Sequence, residues 1–169
     1  MMLVTSIIWL VRRHHVSLLA AKAGAPIGLT MTLVAILTGA IWGKPIWGTY
    51  WAWDPRLTSF AILLMFYIGY LSIWVTMEYN EKVADLSALL CIVGSIFALL
   101  SRYAVLFWSQ GLHQGASLSL DKEENIANVF YLPLLVCLLG FFLLFITILL
   151  LRIRTEIWIR RTNSLKRTN

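Results

Sequence analysis

Four long apolar runs, residues 25–43, 58–77, 85–107 and 128–151, constrain this chain more than any other feature. A helix that crosses the hydrocarbon core of a bilayer needs about 20 apolar residues, within a range of about 17 to 25. Each run has a length suited to this task. Charged residues make up 13% of the chain, whereas soluble domains carry about 25%. The sequence therefore predicts an all-α polytopic transmembrane helical bundle that forms a single membrane domain.

A shorter apolar run, residues 1–11, precedes the basic segment R-R-H-H at positions 12–15. At about 1.5 Å per residue, a helix of this length crosses roughly half of a core that is about 30 Å thick. The run does not fit a signal peptide, because its basic residues follow the apolar stretch and no small-residue cleavage site precedes them. We expect one partial N-terminal span beside the four full ones, and a functional product that extends upstream of Met1.

The basic residues are divided unequally between the two sides of such a bundle. One side carries ten of them: Arg12, Arg13, Lys22, Lys82, Arg152, Arg154, Arg160, Arg161, Lys166 and Arg167. The other side carries four: Lys44, Arg56, Arg102 and Lys122. Because short cytoplasmic loops carry an excess of Lys and Arg, we expect the first side and the C-terminus to be cytoplasmic. The net charge of +6 is then explained by topology and does not indicate a nucleic-acid partner.

The segment between the first two full spans, residues 42–59, is rich in tryptophan. It contains four of the eight tryptophans of the chain: Trp42, Trp47, Trp51 and Trp53. Glycine and proline recur within it, and both residues interrupt helices, so we expect a loop or short irregular segment at the membrane surface. One interpretation is an aromatic belt, since tryptophan favours the headgroup region. Asp54 followed by Pro55 also predicts the start of a helix, with the aspartate as its N-cap.

The order of residues in this segment supports a more specific interpretation. The sequence W-G-x-x-W-x-W-D-x-R resembles the WWD motif of the heme-handling proteins of cytochrome c maturation. The closest likeness is to the heme exporter protein C family (CcmC), over roughly residues 10–155. Two further matches are G-A-P-I-G at 24–28, which we expect to open the first full span, and L-H-Q-G at 112–115. The motif residues are Trp47, Gly48, Trp51, Trp53, Asp54 and Arg56.

The resemblance implies that heme binds on the outer face of the membrane and is presented to the heme chaperone CcmE. The motif residues would contact heme, together with Trp42 and Trp108. Arg56 fits two roles equally well, as a partner of a heme propionate or as an interfacial arginine that snorkels. Arg102 has the same two readings. The expected partners are an ABC-type assembly, CcmA and CcmB, and a small helper, CcmD.

His113 is the best candidate for a metal ligand, because neutral imidazole ligates heme iron. The L-H-Q-G match implies that it corresponds to the family's second axial histidine. The first axial histidine of the family lies in an H-V-P-type motif, and nothing in this chain matches that motif. We expect His14 and His15 to belong to the positive cytoplasmic surface and not to a heme site.

Two other classes of protein remain as alternatives. A b-type heme electron-transfer subunit would need histidines within its spans that face each other, whereas a structural membrane subunit should purify colourless. Cys91 and Cys137 lie deep in separate apolar runs, so we expect both to behave as small apolar residues. The chain carries no nucleotide-binding motif. The sequence thus favours a heme transporter or chaperone over a conventional enzyme, in a bacterial or mitochondrial inner membrane.

Overall fold

The computed structural model describes residues 1–107 and 128–168, and those residues form five helices with no strand among them. Four of the helices are long and apolar enough to cross a membrane, and the first is a short apolar helix of 11 residues. The predicted fold class, four full spans and one partial span, is confirmed. The helices are α1 (Met2–Arg12), α2 (His15–Trp47), α3 (Pro55–Thr76), α4 (Glu81–Phe107) and α5 (Asn128–Thr168).

The helices extend beyond the apolar runs from which they were predicted. α2 begins at His15, so the expectation that the G-A-P-I-G segment opens this helix is wrong, and Pro26 lies in the helix interior. The carbonyl oxygen of Pro26 accepts a hydrogen bond from the Thr30 hydroxyl at 2.9 Å. α5 likewise continues through the basic C-terminal segment as one helix of 41 residues. Charged residues at the ends of a span are compatible with helix, so hydropathy alone underestimates helix length.

Side-chain contacts at one end of the bundle show how the helices run. Arg13, after α1, pairs with Asp85 near the start of α4, and Lys22 Nζ of α2 lies 2.8 Å from Glu156 Oε2 of α5. We call this the basic end. The opposite end holds the end of α2 and the start of α3, and we call it the tryptophan end.

Close packing between neighbouring helices depends on glycine. A Cβ at Gly28 in α2 would lie 2.5 Å from the Tyr67 ring of α3, and one at Gly94 in α4 would lie 2.9 Å from Phe66 Cβ. These glycines therefore bring α3 against α2 and α4. α5 differs from the other long helices, because it packs mainly against α2 and no residue of its most apolar stretch is buried.

Candidate functional site

The turn at the tryptophan end is irregular over a shorter stretch than the sequence predicted. Residues 42–47 form the last turns of α2, and α3 already begins at Pro55, so an irregular segment over 42–59 is wrong at both ends. Pro45 is tolerated within α2 because it removes only one hydrogen bond close to the end of the helix. Trp42 and Trp47 are consequently carried on a helix, and Trp51 and Trp53 on the turn.

Gly48 ends α2 in the left-handed conformation, with φ of 76°, which glycine adopts without the steric cost that a Cβ imposes. Its N–H donates to the Lys44 carbonyl oxygen at 3.0 Å. Lys44 in turn donates from Nζ to the Gly48 carbonyl oxygen at 3.0 Å, and Nζ lies 5.0 Å from the centroid of the Tyr50 ring. Lys44 thus stabilises the turn. The sequence did not predict this role, although a lysine shortly before a terminal glycine is a helix-end pattern.

Asp54 is the N-cap of α3, as its position before Pro55 predicted. Its Oδ2 accepts a hydrogen bond from the Arg56 backbone N–H at 3.2 Å, and its carbonyl oxygen accepts from the Thr58 N–H at 2.9 Å. Pro55 occupies the first turn of the helix. The predicted N-cap is confirmed, and the cap fixes where the turn that carries Trp51 and Trp53 joins α3.

The four tryptophans form two edge-to-face pairs. The rings of Trp42 and Trp47 lie 5.6 Å apart at 87°, and those of Trp51 and Trp53 lie 5.7 Å apart at 81°. Such T-shaped pairs are a favoured arrangement of aromatic rings. Gly43 leaves room for the first pair, because a Cβ there would lie 2.7 Å from Trp47 Cε3. The rings are therefore positioned by their neighbours within the turn and α2.

Much of this aromatic surface is uncovered. Trp53 is 84% exposed, Tyr50 60% and Trp42 56%, while Trp47 and Trp51 are half-buried. The Trp51 indole Nε1 is buried and has no hydrogen-bond partner among the residues that the structure describes. Arg56 is half-buried and forms no ion pair among the residues that the structure describes.

This arrangement can bind a flat apolar molecule that carries a carboxylate. Each exposed ring that loses roughly 100 Å² of apolar surface to a ligand contributes about 2.5 kcal/mol. Guanidinium binds carboxylate through two parallel hydrogen bonds, and Arg56 is available for this. Among the described residues no group of three His, Cys, Asp or Glu side chains is placed to hold a metal ion. Trp108 and His113 lie outside the described residues, as does the side chain of Arg102.

His14 and His15 lie at the basic end, across the bundle from the four tryptophans of the tryptophan end. The His15 ring lies 5.5 Å from the ring of Trp9, and its Nδ1 lies 3.5 Å from the Tyr79 hydroxyl. Trp9 is fully buried, and its Nε1 donates to Asp85 Oδ1 at 3.0 Å. The Arg13 guanidinium donates to the same oxygen, and this hydrogen bond raises the pKa of Arg13 above its usual value.

A cavity of about 320 Å³ lies in the middle of the bundle. Its wall includes Gly28, Tyr67, Tyr70, Cys91 and Phe145, and contains no histidine among the described residues. The b-type cytochrome alternative therefore gains no support from this interior. Cys91 is half-buried and Cys137 is exposed on α5, and both are free thiols; that they behave as small apolar residues stays a prediction.

The whole chain is similar to proteins of one family. The family model described as heme exporter protein C matches residues 1–168. Heme exporter protein C of Rhodobacter capsulatus is 62% identical over 166 residues, which are 98% of this chain and 69% of the relative. That of Paracoccus denitrificans is 63% identical over 165 residues, 98% of this chain and 68% of the relative. That of Escherichia coli K12 is 36% identical over 156 residues, 92% of this chain and 62% of the relative. A match of this extent shows that the chain belongs to the heme exporter protein C family.

Proposed function

We propose that this protein binds heme at the tryptophan end and presents it to the heme chaperone CcmE during cytochrome c maturation. The observation that carries the proposal is the set of exposed rings of Trp42, at the end of α2, and of Tyr50 and Trp53, on the turn that follows it. The names of its relatives, heme exporter protein C, make heme the ligand that these rings would take.

An exposed platform suits a protein that must release its cargo. A porphyrin is a large planar π system, so ring stacking and loss of apolar surface hold it. A deep pocket would bury most of the ligand and slow its release, whereas a surface leaves one edge open to an acceptor protein. The protein then supplies binding, orientation and exclusion of water, and the chemistry of the covalent link belongs to the cofactor and its acceptor.

Arg56 would bind a heme propionate, and His113 would be an axial ligand of the iron. Arg56 stands two residues after the Asp54 cap, in the first turn of α3, so the cap would also fix the position of the guanidinium. His113 belongs to the same side of the membrane in the predicted topology, because two spans, α3 and α4, lie between the tryptophan turn and its segment. Both assignments follow the family motif and require direct tests.

The tryptophan end would face outward from the inner membrane, with the basic end in the cytoplasm. The division of ten basic residues against four supports this orientation through the positive-inside rule. The ABC-type assembly CcmA and CcmB and the helper CcmD would act beside this protein. A reporter fused after Asn169 should therefore be cytoplasmic, and an exported reporter there would reverse the proposed site.

The heme content of the purified protein tests the platform. Trp51→Phe with Trp53→Phe retains apolar rings but reduces the stacking surface, so we expect heme affinity to fall about tenfold, equivalent to about 1.4 kcal/mol. Trp158→Phe is the matched control, because Trp158 is 65% exposed at the opposite end. Equal heme content in both variants would reduce the tryptophan motif to lipid anchoring. A wild-type protein that purifies colourless from heme-replete cells would favour the structural subunit.

The same measurement tests the axial ligand. His113→Ala should lower heme retention and shift the heme absorption spectrum, because a lost imidazole changes the ligand field of the iron. His14→Ala with His15→Ala should change neither, since both histidines lie at the basic end. Equal losses in the two variants would exclude His113 as a ligand.

A further inference from the structure

Two arginines of α5, just beyond its apolar run, have no acidic partner among the described residues. Glu156 is the only acidic residue of this segment, and it pairs with Lys22 of α2 at 2.8 Å. Arg152 and Arg154 are exposed, and neither forms an ion pair with any residue in the described ranges. The one local carboxylate is therefore used to attach α5 to α2, which leaves a surplus of positive charge beside it.

The helical period places part of this charge on the face turned away from the bundle. Positions 154, 158 and 161 are spaced by four and three residues, so their side chains share one face of α5. At about 100° per residue, this face lies roughly opposite Glu156. Trp158 is exposed, and the Arg161 Cζ lies 5.9 Å from the centroid of its ring. We call Arg154, Trp158 and Arg161 the arginine–tryptophan face.

This face lies next to the bilayer surface. The apolar run ends at Leu151, and Arg161 follows it by about 15 Å along the axis at 1.5 Å per residue. Side chains on a helix lean toward its N-terminus, which for α5 is the direction of the membrane. Long arginine side chains can therefore return to the headgroup level, where an exposed indole is also favoured.

We propose that the arginine–tryptophan face binds the headgroup of an anionic phospholipid. Guanidinium groups bind phosphate through paired hydrogen bonds, and Trp158, which lies between the two arginines along the axis, would contact the glycerol of the same lipid. An amphiphile matches both parts of the face, whereas a soluble phosphate would leave the indole unused. The protein itself contacts α5 mainly through α2. The lipid would cover the opposite side of α5.

The test measures lipid retained by the full chain purified in detergent. The protein is incubated with equal amounts of phosphatidylglycerol and phosphatidylcholine, and bound lipid is counted by native mass spectrometry. We expect phosphatidylglycerol to be preferred, and Arg154→Gln with Arg161→Gln to lower its retention about tenfold. Lys166→Gln with Arg167→Gln removes the same charge further along the chain and should lower retention less than twofold. Arg154→Lys with Arg161→Lys should fall between them, because lysine keeps the charge but not the bidentate geometry.

Three outcomes would overturn the proposal. Equal losses in the two glutamine variants would mean that net charge, and not this face, attracts the lipid. Equal retention of the two lipids would mean that the headgroup charge is not recognised. Displacement of the lipid by millimolar inorganic phosphate would show a site for free anions. An unchanged thermal midpoint in each variant establishes that the comparison is made between folded proteins.

Discussion

The two ends of the bundle place the same kinds of residue in opposite surroundings. At the basic end, Trp9 is fully buried and donates a hydrogen bond to Asp85, which also binds Arg13. At the tryptophan end, Trp53 is 84% exposed and its ring lies 5.7 Å from that of Trp51 in the same turn. Indole, arginine and carboxylate therefore stabilise the fold where α1 and α4 converge on them. At the tryptophan end, where the described helices leave them exposed or half-buried, they are the residues of the proposed heme platform.

The difference has a simple energetic basis. A buried indole N–H without a partner costs roughly 1–3 kcal/mol, so Trp9 requires the Asp85 oxygen that it has. An indole at an aqueous or headgroup surface loses nothing of this kind and keeps its apolar face for a ligand. The half-buried Trp51, whose Nε1 has no hydrogen-bond partner within residues 1–107 and 128–168, lies between these two cases.

The largest expected effect is on stability at the basic end. Trp9→Ala should lower the free energy of unfolding by about 3–5 kcal/mol, because it leaves a cavity among α1, α2 and α4 and removes a donor to Asp85. Unfolding by denaturing detergent would measure the loss. Trp158→Ala, at the same end but exposed, should change stability by less than about 0.5 kcal/mol. Similar losses for both would show that burial does not distinguish these two tryptophans.

The sequence was sufficient for those parts of the molecule that depend on local pattern. Apolar run length predicted the helices, and Asp54 before Pro55 predicted the start of α3. The order of the tryptophans predicted the family. Each of these features is set by residues that are near one another in the chain, so a single sequence contains them.

Features that depend on contacts distant in the sequence could not be predicted. Trp9 and Asp85 are 76 residues apart, and no local pattern pairs them. The room that Gly28 leaves for the Tyr67 ring likewise depends on how α2 and α3 pack. The limits of α2 were missed for a related reason, since packing against α1 and α3 keeps Pro26 inside a continuous helix.

A smaller loss of stability is expected when either of two helix N-caps is removed, one at each end of the bundle. Asp54 caps α3 at the tryptophan end, and Asn80 Oδ1 accepts from the Val83 N–H at 2.8 Å at the start of α4. Asp54→Ala and Asn80→Ala should each cost about 1 kcal/mol of stability. We expect only Asp54→Ala to lower heme content, because only that cap fixes the turn of the platform. Unfolding and heme absorption would be measured on the same preparations, and a matching loss of heme in Asn80→Ala would attribute both effects to general destabilisation.

The smallest effect on stability should come from the most exposed tryptophan. Trp53→Ala removes a ring that is 84% exposed, so the free energy of unfolding should change by at most about 0.5 kcal/mol. The same change removes one face of the proposed platform, and heme affinity should fall by about 2 kcal/mol, or roughly thirtyfold. Heme titration in detergent measures the affinity, and unfolding by denaturing detergent measures the stability, with Trp9→Ala carried through both experiments beside this variant. Trp9→Ala should show the reverse pattern, with low stability and near-normal affinity. Stability loss without loss of heme in Trp53→Ala would mean that this ring packs against the fold, and the distinction between the two ends would then fail at its clearest residue.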